Sequence, residues 1–312
     1  MEISLLLAGK IAAMLIMVLM GYVLTKTGIM NDSSSSLLSL IALYLVNPCK
    51  LITAYIVDYD PSMSFNLVLL FGFAAAVHIL LIALSRPVGK LLGLNPACRG
   101  SIIYSNCGNL IMPIIGAVLG EDSLFYSSAF YAVQNIFIWT HLQVLMGNRD
   151  GMSLKKVLLN PNVAAIIIGL IIYLTGIHPT GPLYSAIVSV GDMTGPVAML
   201  ITGSIIAYSD IRSMICSGKI WMLCAIRLIV YPVVIIFVLK ILHIDSFITG
   251  FNELALVGFL AAAAPTATSV VQLAKLNNGD YESANAVNIM TVLLCIVTMP
   301  LTVYLYQLLL IY

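Results

Sequence analysis

Charge is scarce in this sequence: Asp, Glu, Lys and Arg make up 9% of its residues, against 61% hydrophobic ones. A soluble domain carries about 25% charged residues, because its surface must face water. Too few charges are present to cover such a surface, which excludes an ordinary water-soluble fold. Basic runs are missing as well. The net charge is +1 and no stretch gathers Lys and Arg into a patch, so a nucleic-acid binder is excluded too.

Reactive residues are equally sparse. The six cysteines (Cys49, Cys98, Cys107, Cys216, Cys224 and Cys295) form no CxxC pair or other metal-ligand spacing. Five lie in or beside apolar stretches and read as small buried hydrophobes. There is no HExxH, no GxSxG, no GxxxxGK[ST] and no intramembrane pair of aspartates. Hydrolases and ATP-driven pumps therefore lack their usual signatures, and no cofactor or metal is expected. The first apolar run, 3–24, has no small-residue cleavage pattern and is long enough to span a bilayer. It reads as a helix rather than a removable signal.

Long apolar runs are what the sequence does have. A crossing needs about 20 apolar residues. Ten runs of that order occur, at 4–24, 35–57, 65–85, 97–119, 123–146, 160–176, 182–208, 219–242, 252–275 and 282–311. They are too long and too uniformly apolar for barrel strands. The expected fold is an all-α polytopic membrane protein of ten transmembrane helices.

Lys and Arg mark one side. Lys26, Arg86, Lys90, Arg99, Arg149, Lys155, Lys156, Arg212, Lys219 and Lys275 follow the odd-numbered runs. The other side holds Asp58, Asp60, Glu121, Asp122, Asp245 and Glu253, with Lys240 and Lys10. The positive-inside rule then puts the basic loops in the cytoplasm and both termini outside the cell membrane.

The two halves match in order. Tyr22-Val-Leu-Thr-Lys-Thr-Gly-Ile29 parallels Tyr173-Leu-Thr-Gly-Ile177, and Pro48–Thr53 parallels Pro196–Thr202. Pro113 followed by Gly120-Glu-Asp122 parallels Pro265 followed by Gly279-Asp280. Ala132-Val-Gln134 parallels Ala286-Val-Asn288. Five helices per unit would turn the second unit upside down, the inverted repeat of secondary transporters.

Segments four and nine carry the candidate site. They read Asn106-Cys-Gly-Asn-Leu-Ile-Met-Pro113 and Ala261-Ala-Ala-Ala-Pro-Thr-Ala-Thr-Ser269. Pro113 and Pro265 each remove a backbone donor and are expected to break their helices. Broken helices in hydrocarbon must be buried against protein or water, and paired breaks point to a midplane site. The second half-helices then present free N–H groups and partial positive charge to an anion, beside Asn106, Asn109, Thr266, Thr268 and Ser269. A simple kink is the bland alternative.

Three charges fall at membrane depth: Lys50, Asp192 and Arg227. Lys50 and Arg227 can hold a substrate carboxylate and Asp192 can relay a proton, because buried charge is costly and usually functional. A Lys50–Asp192 salt bridge, or snorkelling of Arg227, competes with that reading. Tyr131, Gln134, Asn135, Asn285 and Asn288 line the same cavity or glue helices together. His78 and His141 read as hydrogen-bonded packing residues.

These residues resemble the auxin efflux carrier family, which includes bacterial permeases for malate and malonate. Asn106, Gly108, Asn109 and Pro113 match its Asn-x-Gly-Asn-x-Gly-x-Pro signature, with Ile111 where a second glycine is usual. Pro265, Gly279-Asp280, Pro300, Asn160-Pro161 and Pro196–Gly203 are similar to other parts of the family pattern. The long hydrophilic loop of many plant members is not there. The resemblance implies a scaffold (1–58 and 147–210) and a mobile transport domain (59–146 and 211–312). It further implies that the fourth and ninth helices cross, alternating access, and a homodimer formed through the scaffold. The expected function is secondary transport of small organic anions. A sodium-coupled symporter and a membrane ligand sensor are the alternatives.

Overall fold

The computed structural model describes residues 2–120, 122–148 and 159–311. Glu121 and the basic residues Arg149, Lys155 and Lys156 lie outside them. Among the described residues the chain is all helix, with one isolated two-residue bridge and no strand. The helices are α1 (Glu2–Lys26), α2 (Asp32–Thr53), α3 (Pro61–Leu91), α4 (Pro96–Ile103) and α5 (Met112–Leu119). They continue as α6 (Asp122–Phe137), α7 (Pro161–Thr175), α8 (Gly181–Tyr208), the short α9 (Ile211–Cys216) and α10 (Gly218–Ser246). The last three are α11 (Phe251–Ala263), α12 (Thr268–Leu276) and α13 (Tyr281–Leu310).

Six of these, α1, α2, α3, α8, α10 and α13, are long and apolar enough to cross a membrane. The protein is a multi-pass membrane protein. The other four expected runs differ for physical reasons. The fourth and ninth are split into α4/α5 and α11/α12, so each piece is short. The fifth is α6, which runs on through a wide turn at Ile138–Leu142 into Gln143–Leu145. The sixth, α7, has 15 residues. At 1.5 Å per residue it reaches about 22 Å, short of the roughly 30 Å hydrocarbon core.

Proline shapes the helices without ending them. Wide π turns at Ala42–Val46, Cys107–Ile111 and Ile226–Val230 each stop two residues before a proline, namely Pro48, Pro113 and Pro232. The ring would collide with the carbonyl one turn back, and widening that turn gives it room. Elsewhere packing is close. A methyl group on Gly203 of α8 would run into the Val18 backbone of α1, so these two helices touch backbone to backbone. Large apolar side chains such as Leu19, Tyr44, Val68, Ile79, Ile171 and Leu301 face outward, where hydrocarbon would solvate them.

Candidate functional site

The site is built where two helices come apart. After α4 the chain leaves the helix at Tyr104, which is extended, and stays open through Asn106 before the wide turn leading into α5. After α11 it is extended through Ala264–Ala267 before α12. The two open stretches pair antiparallel, with Ser105 opposite Thr266. The Asn106 N–H donates to the Pro265 carbonyl at 2.7 Å, and the Ala267 N–H donates to the Tyr104 carbonyl at 3.0 Å.

Side chains from α6 and α13 complete this bridge in parallel ways. The Gln134 amide donates to the Ser105 carbonyl at 2.7 Å, and the Asn288 amide donates to the Thr266 carbonyl at 2.6 Å. The Ser105 N–H and hydroxyl both donate to Gln134 Oε1, at 3.1 and 2.7 Å. The Thr266 N–H donates to Thr291 Oγ1 at 3.1 Å, and the Thr266 hydroxyl donates to the Ser101 carbonyl at 2.8 Å. Opened backbone survives in a membrane interior only when its groups are satisfied like this. The correspondence of Gln134 with Asn288 in the sequence thus has a geometric counterpart.

Arg227 of α10 does the rest. Its side chain is fully buried and does not snorkel. Nε and Nη2 donate to the Ala264 carbonyl at 3.0 and 2.8 Å, and Nη2 also donates to Ala262 at 2.6 Å. Nη1 donates to Ile102 and Ile103 at 3.3 and 3.2 Å. One guanidinium therefore caps the C-terminal ends of α4 and α11 together, where helix dipoles favour a cation.

Pro113 needs correcting against the sequence expectation. The break lies at Tyr104–Asn106, and Pro113 sits inside the first turn of α5. Across the bridge, the residue opposite Pro265 is Asn106, whose N–H donates to the Pro265 carbonyl. Pro265 alone stands inside a break.

In front of the bridge lies a cavity of about 320 Å³. That is the low end of the range for small-molecule sites. Of the expected residues, Asn106, Asn109, Tyr131, Thr268, Ser269 and Asn288 line it, with Asn135 and Asn285. Pro113, Pro265, Thr266, Gln134, Lys50, Arg227 and Asp192 are not in its wall; most of these build what lies behind or beneath. Among the described residues, none that lines it carries a charge. The first N–H groups of α12 and of the turn leading into α5 have no carbonyl one turn back, and their positive ends lie beside Ser269 and Asn109.

The cavity is one-sided. It runs toward Leu276 at the end of α12, Asn285 near the start of α13 and Asn160 at the start of α7. In the other direction the Asn47 amide donates to Asn109 Oδ1 at 2.9 Å, and the Tyr131 ring packs on Gly108, where a side chain would overlap it. Below them is a void of only about 10 Å³, lined by Lys50, Thr194 and Met112 among others. Further on, the Ser128 hydroxyl donates to the Tyr55 hydroxyl at 2.7 Å, and the Tyr173 hydroxyl donates to the Asp60 carbonyl at 2.8 Å.

Lys50 and Asp192 pair with each other, Nζ to Oδ1 at 2.8 Å, with Lys50 17% and Asp192 61% exposed. A pair this open to solvent is worth about 0–1 kcal/mol. A double-mutant cycle on Lys50→Ala and Asp192→Ala, read by thermal unfolding in detergent, should give a coupling within that range. A coupling of several kcal/mol would mean a desolvated pair.

Asn47, Asn160, Asn162 and Gln272 line the cavity without having been singled out as site residues from the sequence. Asn47 and Asn160 each precede a proline, which was the available signal. His78 stacks on Phe137, and His141 Nδ1 hydrogen-bonds the Tyr104 hydroxyl at 2.8 Å, so both are packing residues. Cys98, Cys107, Cys224 and Cys295 are buried, Cys49 is half-buried and Cys216 is exposed.

A multi-pass helical bundle with a polar, one-sided cavity at paired helix breaks is the build of a membrane transport protein. The chain belongs to the membrane transport protein family, whose model matches residues 6–303. This is the family to which the auxin efflux carrier resemblance pointed. An uncharacterized transporter of Methanothermobacter thermautotrophicus is 23% identical over 303 residues, covering 93% of this chain and 95% of the relative.

Proposed function

We propose that the protein is a secondary carrier of small organic carboxylates, malate-like or malonate-like, working by alternating access in the cell membrane. The observation that carries this reading is the bridged pair of breaks, whose second halves turn two helix N-termini toward a cavity in which no described lining residue is acidic. Each N-terminus is worth about half a positive charge, so together they suit one carboxylate. Asparagine amides such as Asn106, Asn135 and Asn285 offer donors to the rest of the anion.

In this reading ten helices form two inverted five-helix repeats. The bridge relating Ser105 to Thr266, with Gln134 and Asn288 in matching roles, supports the repeat. The scaffold is 1–58 with 147–210, and the transport domain is 59–146 with 211–312. Their contacts at the closed end, Tyr55 with Ser128 and Tyr173 with Ser64, are those that must part when access switches. The open end is the cytoplasmic one, and both termini are extracellular. The scaffold forms a homodimer; α2 supports this, since Leu37, Leu40, Tyr44 and Leu45 leave it largely uncovered within the protomer.

Purified protein in liposomes should take up labelled malate or malonate, with sodium and proton gradients imposed in parallel to name the coupling ion. Lys50→Ala should lower mono- and dicarboxylate uptake equally, because Lys50 is held by Asp192. A loss confined to dicarboxylates would put Lys50 on the substrate. Uptake of cations or neutral solutes alone would sink the carboxylate reading.

A further inference from the structure

Three cations gather at the ends of α3 and α4 without an acidic partner among the described residues. Arg86 and Lys90 are one turn apart on α3, and Arg99 lies early in α4. With Gly89 and Leu94 they line a pocket of about 370 Å³, separate from the central cavity. Among the described residues the ion pairs are Lys50–Asp192 and His178–Asp58, so none of the three is neutralised by a side chain.

Arg99 is the informative member. Among the described residues its buried Nε, packed against Gly89, has no hydrogen-bond partner, and its Nη2 reaches Ser85 Oγ only at 3.5 Å. The guanidinium is therefore weakly satisfied by its surroundings, and its terminal nitrogens are left to take an acceptor in the pocket that Arg99 lines. A guanidinium fork flanked by further cations is the arrangement that holds phosphate oxygens. Leu91, 84% exposed, and the exposed Leu92 lie beside it, so the pocket opens next to apolar surface. Basic pockets between membrane helices bind anionic headgroups by this combination.

We propose that Arg86, Lys90 and Arg99 form a binding site for a phosphate group, carried by an anionic lipid whose acyl chains lie along Leu91. The site stands whether or not the protein carries carboxylates. It lies on the same helix whose far end, Ile102 and Ile103, is held by Arg227, so an occupied site braces the broken fourth segment from both ends.

The test uses the full chain. Wild type and Arg86→Gln/Lys90→Gln, in which both replaced side chains are exposed, are compared by native mass spectrometry and thermal shift with phosphatidylglycerol, phosphatidylcholine and inorganic phosphate. Wild type should retain phosphatidylglycerol in preference to phosphatidylcholine. The double variant should bind it more weakly, by roughly fivefold for each cation removed. Arg99→Gln should weaken it further at an unchanged fold, read by size-exclusion profile. Stabilisation by inorganic phosphate in wild type alone supports the phosphate site and assigns its source to solution. Equal behaviour of wild type and double variant toward all three probes overturns the site.

Discussion

Arg227→Leu should fail to accumulate as folded protein, while Arg227→Lys and Arg227→Gln should fold with reduced stability. The guanidinium makes five hydrogen bonds to four buried carbonyls. A charged hydrogen bond contributes roughly 1.5–3 kcal/mol, and leaving a buried acceptor unpaired adds its desolvation cost. Set against a total stability of about 5–15 kcal/mol, that loss is decisive. Lysine keeps the charge without the fork, and glutamine keeps part of the hydrogen bonding without the charge.

The comparison of those two reports on function. Arg227 sits at the negative ends of α4 and α11, so its charge offsets them and leaves the positive ends of the second halves to set the sign of the cavity. At matched thermal stability, Arg227→Lys should keep a lower KM for carboxylate than Arg227→Gln. Equal KM values in the two variants would show that Arg227 only ties the backbone together.

The all-helical membrane fold is legible in the sequence, because long apolar runs with few charges have no other soluble or barrel solution. Both broken segments are legible too, but not the position of the first break. Pro113 gives a visible cue, but the π turn before it absorbs the missing hydrogen bond. The real opening, at Tyr104–Asn106, is created by partners far away in the chain: Pro265, Gln134 and Arg227. Nothing in Tyr-Ser-Asn announces that.

The same reason explains the charges. Arg227 and Lys50 both looked like substrate cations, since intramembrane charge is usually functional. Backbone carbonyls carry no mark in a sequence, so the partners of Arg227 were invisible, whereas Asp192 could be named as the partner of Lys50 because it is itself charged. Amides in the cavity were half legible. Asn106, Asn109 and Asn288 stood beside recognisable breaks, while Asn47 and Asn162 came into the wall only through the packing of α2 and α7.

Asn109→Ala should cut carboxylate uptake by roughly tenfold or more, with little change in thermal stability. Asn109 lines the cavity beside the start of α5 and accepts one hydrogen bond, from Asn47 at 2.9 Å. Losing that neutral bond costs about 0.5–1.5 kcal/mol, whereas losing a bond to a carboxylate costs about 1.5–3 kcal/mol. Every 1.4 kcal/mol is tenfold in affinity. Asn47→Ala is the control, since it removes the same Asn47–Asn109 bond and leaves the Asn109 amide in place. If Asn109 binds substrate, its variant must be the worse transporter of the two at similar stability. Should both variants lose uptake by the same factor, Asn109 acts only by fastening the break to α2, and the carboxylate must be held by Asn106, Thr268 and Ser269 instead.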